Sequence, residues 1–205
     1  MNLLKLCKTI AGSALLSLPL MHSPAKAVDF NSNEQTTLPT GGPIISGDYT
    51  FFSTSAIGVV NGNTSPFGVS NGTNMLVFSN EGVLTLTRSD HGLFALNGLD
   101  VGGWRDLPTP NPARLSFTGH LKGGGQVSLS SPAGLPTITP FAPFTTAPLF
   151  TNLTSLTLTM TGYQPSAYAA IDNLLLTAVP EPETYALFLV GLGLVGAIAR
   201  RRGAS

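Results

Sequence analysis

The sequence predicts an all-β protein, an antiparallel β-sandwich, on three observations. Short alternating or apolar runs recur along the middle of the chain, turn residues separate them, and charge is scarce. Only 10% of residues are charged, against about 25% in an average globular chain. The 23 Gly and 16 Pro accompany many Ser, Thr and Asn, a composition that suits turn-rich strands better than helices. With 205 residues, a single core is the expectation.

Taken from the N-terminus, residues 1–27 have the three parts of a secretory signal peptide. Lys5 and Lys8 supply a basic start, an apolar run extends from about Ile10 to Met21, and Ala25-Lys26-Ala27 offers a small-residue cleavage site. Cleavage is expected after Ala27, leaving Val28 as the new N-terminus. The only cysteine, Cys7, precedes the apolar run, which excludes a lipoprotein arrangement. It leaves with the signal, so the mature chain has no disulfide and no thiolate metal site. About 150 residues remain, enough to build a core without covalent staples.

Residues 28–179 form the ectodomain. Its first part, 28–45, reads as a poorly ordered lead-in, because Asn31 to Gly42 is low in apolar content. Strands are expected at Met75–Phe78, Val83–Thr87, Leu93–Leu96, Leu115–Thr118, Val127–Leu129, Leu156–Met160 and Ile171–Leu176. Turns are expected at Asn61-Gly62-Asn63, Asn71-Gly72, Asn80-Glu81-Gly82, Asn97-Gly98 and Gly123-Gly124-Gly125. Leu156-Thr157-Leu158-Thr159-Met160-Thr161 alternates cleanly, so one side should face the core and the threonines the solvent. The proline-rich stretches 107–112 and 132–148 should be surface connections, the second ending as an extended edge segment.

The C-terminal segment, 180–205, has a different character. After Val179-Pro180-Glu181-Pro182, residues Tyr185 to Ala199 carry no charge, and Arg200, Arg201 and Arg202 follow. A single transmembrane helix over about 184–199 is expected, with a basic tail at 200–202 that stops translocation and stays cytoplasmic. Fifteen apolar residues span about 22 Å, less than the roughly 30 Å hydrocarbon core, so snorkelling arginines and local thinning must cover the difference.

Pro180-Glu181-Pro182, the Gly- and Leu-rich apolar run and the terminal arginines, in that order behind a signal peptide, resemble the PEP-CTERM sorting signal of Gram-negative bacteria. The resemblance implies recognition by an exosortase, a membrane-embedded cysteine transpeptidase, with processing near Pro180-Glu181-Pro182. It also implies an exopolysaccharide-producing, biofilm-forming setting and a protein that is transiently held in the inner membrane before reaching the cell surface or medium. A second resemblance runs from Phe67 to Thr177 and includes Leu96-Asn97-Gly98-Leu99-Asp100-Val101 and Ala170-Ile171-Asp172-Asn173. It is similar to PEP-CTERM ectodomains and to jelly-roll carbohydrate-binding modules, and implies a jelly-roll-like sandwich. In such modules an aspartate near the last strand helps hold structural calcium, a cation that needs six to eight oxygens. Asp172, with Asp48 and backbone carbonyls, is the candidate set here, and its alternative is a strand-end role for Asp172.

Charge and motif content narrow the function further. Between Val28 and Val179 there are four basic residues (Arg88, Arg105, Arg114, Lys122) and eight acidic ones, a net charge of −4, which disfavours a nucleic-acid partner. His91 and His120 sit in no nucleophile or zinc motif, and Glu34 and Glu81, the only ectodomain glutamates, are not marked as a glycosidase pair. No catalytic residue is assigned. Trp104, the sole tryptophan, stands between Gly103 and Arg105-Asp106. It either packs in the core or lies on a loop, stacking on a sugar while Arg105 and Asp106 bind hydroxyls. The expected function is a non-enzymatic exported surface or matrix protein in contact with exopolysaccharide, with the secretion translocon, an exosortase and the membrane as partners. The alternatives are a secreted matrix hydrolase and a spacer without ligand.

Overall fold

A computed structural model describes residues 25–33, 42–63, 68–105, 112–137, 141–161, 167–180 and 182–202. Most of the expected signal peptide, residues 1–24, lies outside the described residues, as do the stretch 34–41, Asp106 and Glu181. The strands in chain order are β1 (Lys26–Val28), β2 (Ile44–Ser46), β3 (Tyr49–Ser53), β4 (Ile57–Asn61), β5 (Asn74–Ser79) and β6 (Leu84–Arg88). Then come β7 (Leu93–Arg105), β8 (Arg114–Leu121), β9 (Gln126–Ser130), β10 (Ala142–Thr145), β11 (Leu153–Thr161) and β12 (Tyr168–Val179), followed by the helix α1 (Pro182–Arg202).

Every strand pair is antiparallel. One layer has the order β9-β8-β11-β6-β3-β2. The other has β10-β7-β12-β5-β4, with β1 beside the far end of β12. Among the described residues one strand pairing, Leu153 with Phe94, joins the two layers at one corner, so the sheet is nearly closed into a barrel. The antiparallel sandwich predicted from strand spacing is the architecture found.

Alternation places the core. On β11, Leu156, Leu158 and Met160 are buried while Thr157 and Thr159 are half-buried. Leu115 and Phe117 on β8, Leu84 and Leu86 on β6, and Phe51 on β3 turn to the same interior. They meet Leu76, Phe78, Leu96 and Ile171 of the second layer. Each fully buried Leu, Ile or Phe contributes about 1.5–3 kcal/mol relative to exposure, so core burial is the source of stability that the cysteine count requires.

All seven expected strands form, and four elements escaped the pattern. β1 and β2 have only three residues each, and β4 is buried on both faces, which removes the alternation that marks a half-exposed strand, while β3 was simply missed. The lead-in expectation needs correction over part of its length. Val28 is 5% and Phe30 0% exposed, both in the core, and residues 44–46 form β2. Asn97-Gly98 does not turn the chain but lies inside the thirteen-residue β7. The Asn97 side chain donates to Thr177 Oγ1 at 2.9 Å, tying the position to β12, and β10 pairs alongside at Gly98. β10 is the extended segment expected from the second proline-rich stretch, and Pro143 is accommodated because the strand is an edge.

The expected cleavage site after Ala27 falls inside β1, where Lys26, Ala27 and Val28 pair with Leu176, Leu175 and Leu174 of β12. Ala25, Lys26 and Ala27 are exposed, whereas Val28 is buried against β12. N-terminal sequencing of the exported protein is expected to return Val28. A sequence beginning at Met1 would contradict the cleavage site.

Candidate functional site

β12 runs straight into the C-terminal segment. Its last ladder pair is Val179 with Leu93, Pro180 follows outside any element, and α1 begins at Pro182. A proline is well placed at the first helical position, because its missing N–H would have no partner there. The helix therefore starts a residue or two earlier than a boundary near 184 and continues through Arg202. Its described side chains, 187–196 and 198, are all exposed. Leu187 is 74%, Leu194 61% and Val195 64% exposed, so the helix is apolar on every described face and buries none of them on the sandwich. Among the described residues no helix is long and apolar enough to cross a membrane.

This succession of strand, proline-bounded helix start and apolar helix is matched by a protein-family model over residues 178–202, described as the PEP-CTERM protein-sorting motif. The chain carries a PEP-CTERM sorting motif. The motif implies export to the surface or medium and processing by an exosortase. No curated protein matches the sequence.

Three solved structures are similar to the chain at low identity. The CBM22-1 xylan-binding domain from Paenibacillus barcinonensis Xyn10C is 15% identical, with TM-score 0.45, covering 78% of this chain and 97% of that one. A DUF4465 family protein from Bacteroides ovatus is 8% identical, with TM-score 0.44 and coverages of 77% and 99%. TmCBM61 in complex with beta-1,4-galactotriose is 13% identical, with TM-score 0.36 and coverages of 62% and 88%.

Within the sandwich, the predicted site residues fall in separate places. Trp104 is not on a loop: it is in β7 and 1% exposed. The outer face of the β7-β12-β5-β4 layer is roofed, and Trp104 lies beneath the roof with Val60, Val69, Met75, Val77 and Phe141. Its ring meets Tyr168 edge to face at 5.5 Å. Two hydrogen bonds fasten the roof to β7, from Val69 N to Gly103 O at 3.1 Å and from Gly103 N to Pro136 O at 2.7 Å. A buried ring presents no face to a sugar, so of the two readings of Trp104 core packing is the one found, and stacking on a sugar is not. Glycines here serve close approach: a Cβ on Gly102 would stand 2.4 Å from Val69 Cγ2, and one on Gly68 2.3 Å from Gly103 O.

Asp48 and Asp172 are not brought together. Asp48 occupies the β2–β3 turn, where its carbonyl accepts from Ser89 N. Asp172 lies in β12, 0% exposed, opposite Asp100 of β7. Its Oδ2 accepts from Asn71 Nδ2 and Thr73 Oγ1, each at 2.8 Å, and its Oδ1 is buried without a hydrogen-bond partner. Among the described residues no three His, Cys, Asp or Glu side chains converge as metal ligands would. The geometry is that of a latch holding the 71–73 segment to β12.

Burial pushes the Asp172 carboxyl above the usual carboxylate range. The Asn71 and Thr73 hydrogen bonds pull it back, and Asp100 adds to the rise. A carboxyl whose folded pKa is raised binds its proton more tightly when folded, so its stabilising contribution is complete below the unfolded value of about 3.9 and is lost as pH rises through the folded pKa. Asp172→Asn should therefore gain stability relative to the parent as pH rises from acid to neutral. Denaturant melts across that range check this, and a constant difference between the two proteins would contradict it.

Proposed function

We propose that this protein is a non-enzymatic component of the cell surface or extracellular matrix, delivered by its PEP-CTERM motif and in contact with exopolysaccharide. The observation that carries the reading is the junction at 179–182. The sandwich ends at Val179, and the sorting tripeptide connects it directly to an apolar helix with no face on the domain. A helix with no polar face has little reason to remain in water, and burying its apolar side chains in a bilayer releases the free energy that the sandwich does not supply.

In this reading α1 holds the protein transiently in the inner membrane. The run from Tyr185 to Ala199 is shorter than the hydrocarbon core, and Arg200, Arg201 and Arg202 reach to the headgroups with local thinning. Pro180-Glu181-Pro182 then lies at the outer surface, where a transpeptidase can reach it. Pro180 cannot donate to a continued ladder, and Pro182 suits the first position of the helix that follows. The test compares the size and cellular location of the protein in cells with and without an exosortase. The proposal expects the processed, surface or released form only where the enzyme is present.

A further inference from the structure

The two outer faces of the sandwich are treated differently. That of the β7-β12-β5-β4 layer is roofed over Trp104, Val69 and Phe141. That of β9-β8-β11-β6-β3-β2 carries side chains that are half-buried or exposed and mostly hydroxyls, with one cation, Arg114 of β8, exposed at its end beside Thr161. One row is continuous across five strands. Ser128 pairs with Thr118, Thr118 with Thr157, Thr157 with Thr85, and Thr85 with Phe52. At about 4.8 Å per strand the row is about 19 Å long. A second row, Ser130-Ser116-Thr159, runs beside it, and His120 and Gln126 border it on the other side.

Threonine favours strands for its own reasons, so hydroxyls alone would mean only a solvated sheet. Two features go further. No residue of these rows carries a formal charge, although exposed sheet faces ordinarily use charge to resist association. The row also ends on Phe52, an aromatic ring 48% exposed, with Ile45, 60% exposed, on the adjacent strand. The hydroxyls are held in register by one another, Thr118 with Ser128 at 3.2 Å and Ser116 with Ser130 at 3.1 Å. Each hydroxyl has one donor and two acceptor sites, so each retains capacity for a ligand.

We infer that this face is the contact surface for a neutral polysaccharide, lying across the strands along the Ser128–Phe52 row with a sugar ring on Phe52. This rests on the polysaccharide reading above and names its site. The chemistry fits a polyol without charge. Hydroxyl rows exchange hydrogen bonds with sugar hydroxyls, the phenyl ring covers the C–H face of a pyranose, and an anionic polymer would find no cation among the rows.

The test uses the full-length exported protein in detergent, with a soluble neutral β-glucan as probe and a uronate-rich anionic polysaccharide as control. Binding to the neutral polymer is expected, with little dependence on salt because no charges are engaged. Thr157→Glu, which places a charge in the middle of the row, and Phe52→Ala should each weaken it about tenfold or more while thermal unfolding stays near that of the parent. As a readout independent of variants, the polymer should slow chemical modification of His120, which borders the row, and leave His91 unaffected. Binding that survives both substitutions and leaves His120 unprotected would overturn this face as the site while leaving the polysaccharide reading intact. Failure of the parent to bind any polysaccharide would overturn that reading and this inference together, and a preference for the anionic polymer would overturn the inference alone.

Discussion

Changing Glu181 to alanine is expected to leave the protein in the membrane fraction at full length, with the processed form reduced about tenfold or more, a loss that needs only about 1.4 kcal/mol of recognition. The carboxylate is the single charge in the tripeptide, and the flanking prolines restrict the backbone around it, so its removal takes away the most distinctive group an enzyme could bind. The apolar run from Tyr185 to Ala199 is untouched, and membrane retention should be unchanged. Neutralising Arg200, Arg201 and Arg202 together should give the opposite result, because a short helix without snorkelling cations loses its stop at the cytoplasmic side. Fractionation and immunoblotting of both variants separate the two defects. Normal processing of the Glu181→Ala protein would reduce the segment to a tail anchor.

Trp104→Ala is expected to cost about 3–5 kcal/mol, the range for removing a large aromatic from a packed core. Against a total stability of about 5–15 kcal/mol, that is enough to leave much of the protein unfolded at ordinary temperature. The loss should be matched in kind by Gly68→Ala. Its new Cβ meets a backbone oxygen, which cannot swing aside, and its φ of +65° already disfavours a side chain. Urea unfolding of the purified protein and both variants is the measurement. A Trp104→Ala protein that melted like the parent but had lost polysaccharide binding would restore Trp104 as a ligand contact and displace the Phe52 face.

The contrast between Trp104 and Phe52 shows where reading the chain stops. Both are aromatics, and local sequence left open whether Trp104 is buried and gave no sign that Phe52 is exposed. Glycines and charges around Trp104 have the look of an exposed loop, yet those glycines let Val69 and the segment at Pro136 close over β7. That roof is assembled from residues more than thirty positions apart, so no window along the chain contains it. Phe52 lies in a five-residue strand that was not anticipated, and its exposure follows from β3 pairing with β6 at the outer face. The Asp172 latch is similar. The carboxylate was noticed from its place near the last strand, but its partners Asn71 and Thr73 lie about a hundred positions away, and the fold supplied them in place of Asp48.

What the sequence determined by itself is whatever is encoded in local periodicity and local composition. The seven strands of alternating or apolar pattern, most of the turns between them, the exported character of the chain and the sorting segment from Pro180 all depend on neighbours within a few residues, because strand alternation, signal hydropathy and the proline-bounded helix start are short-range physics. The tertiary structure alone decided which outer face is roofed and which is open, which aromatic is buried, and which side chains reach Asp172. Those outcomes depend on long-range strand pairing, and burial is a property of the surfaces that meet there rather than of any segment that contributes one of them.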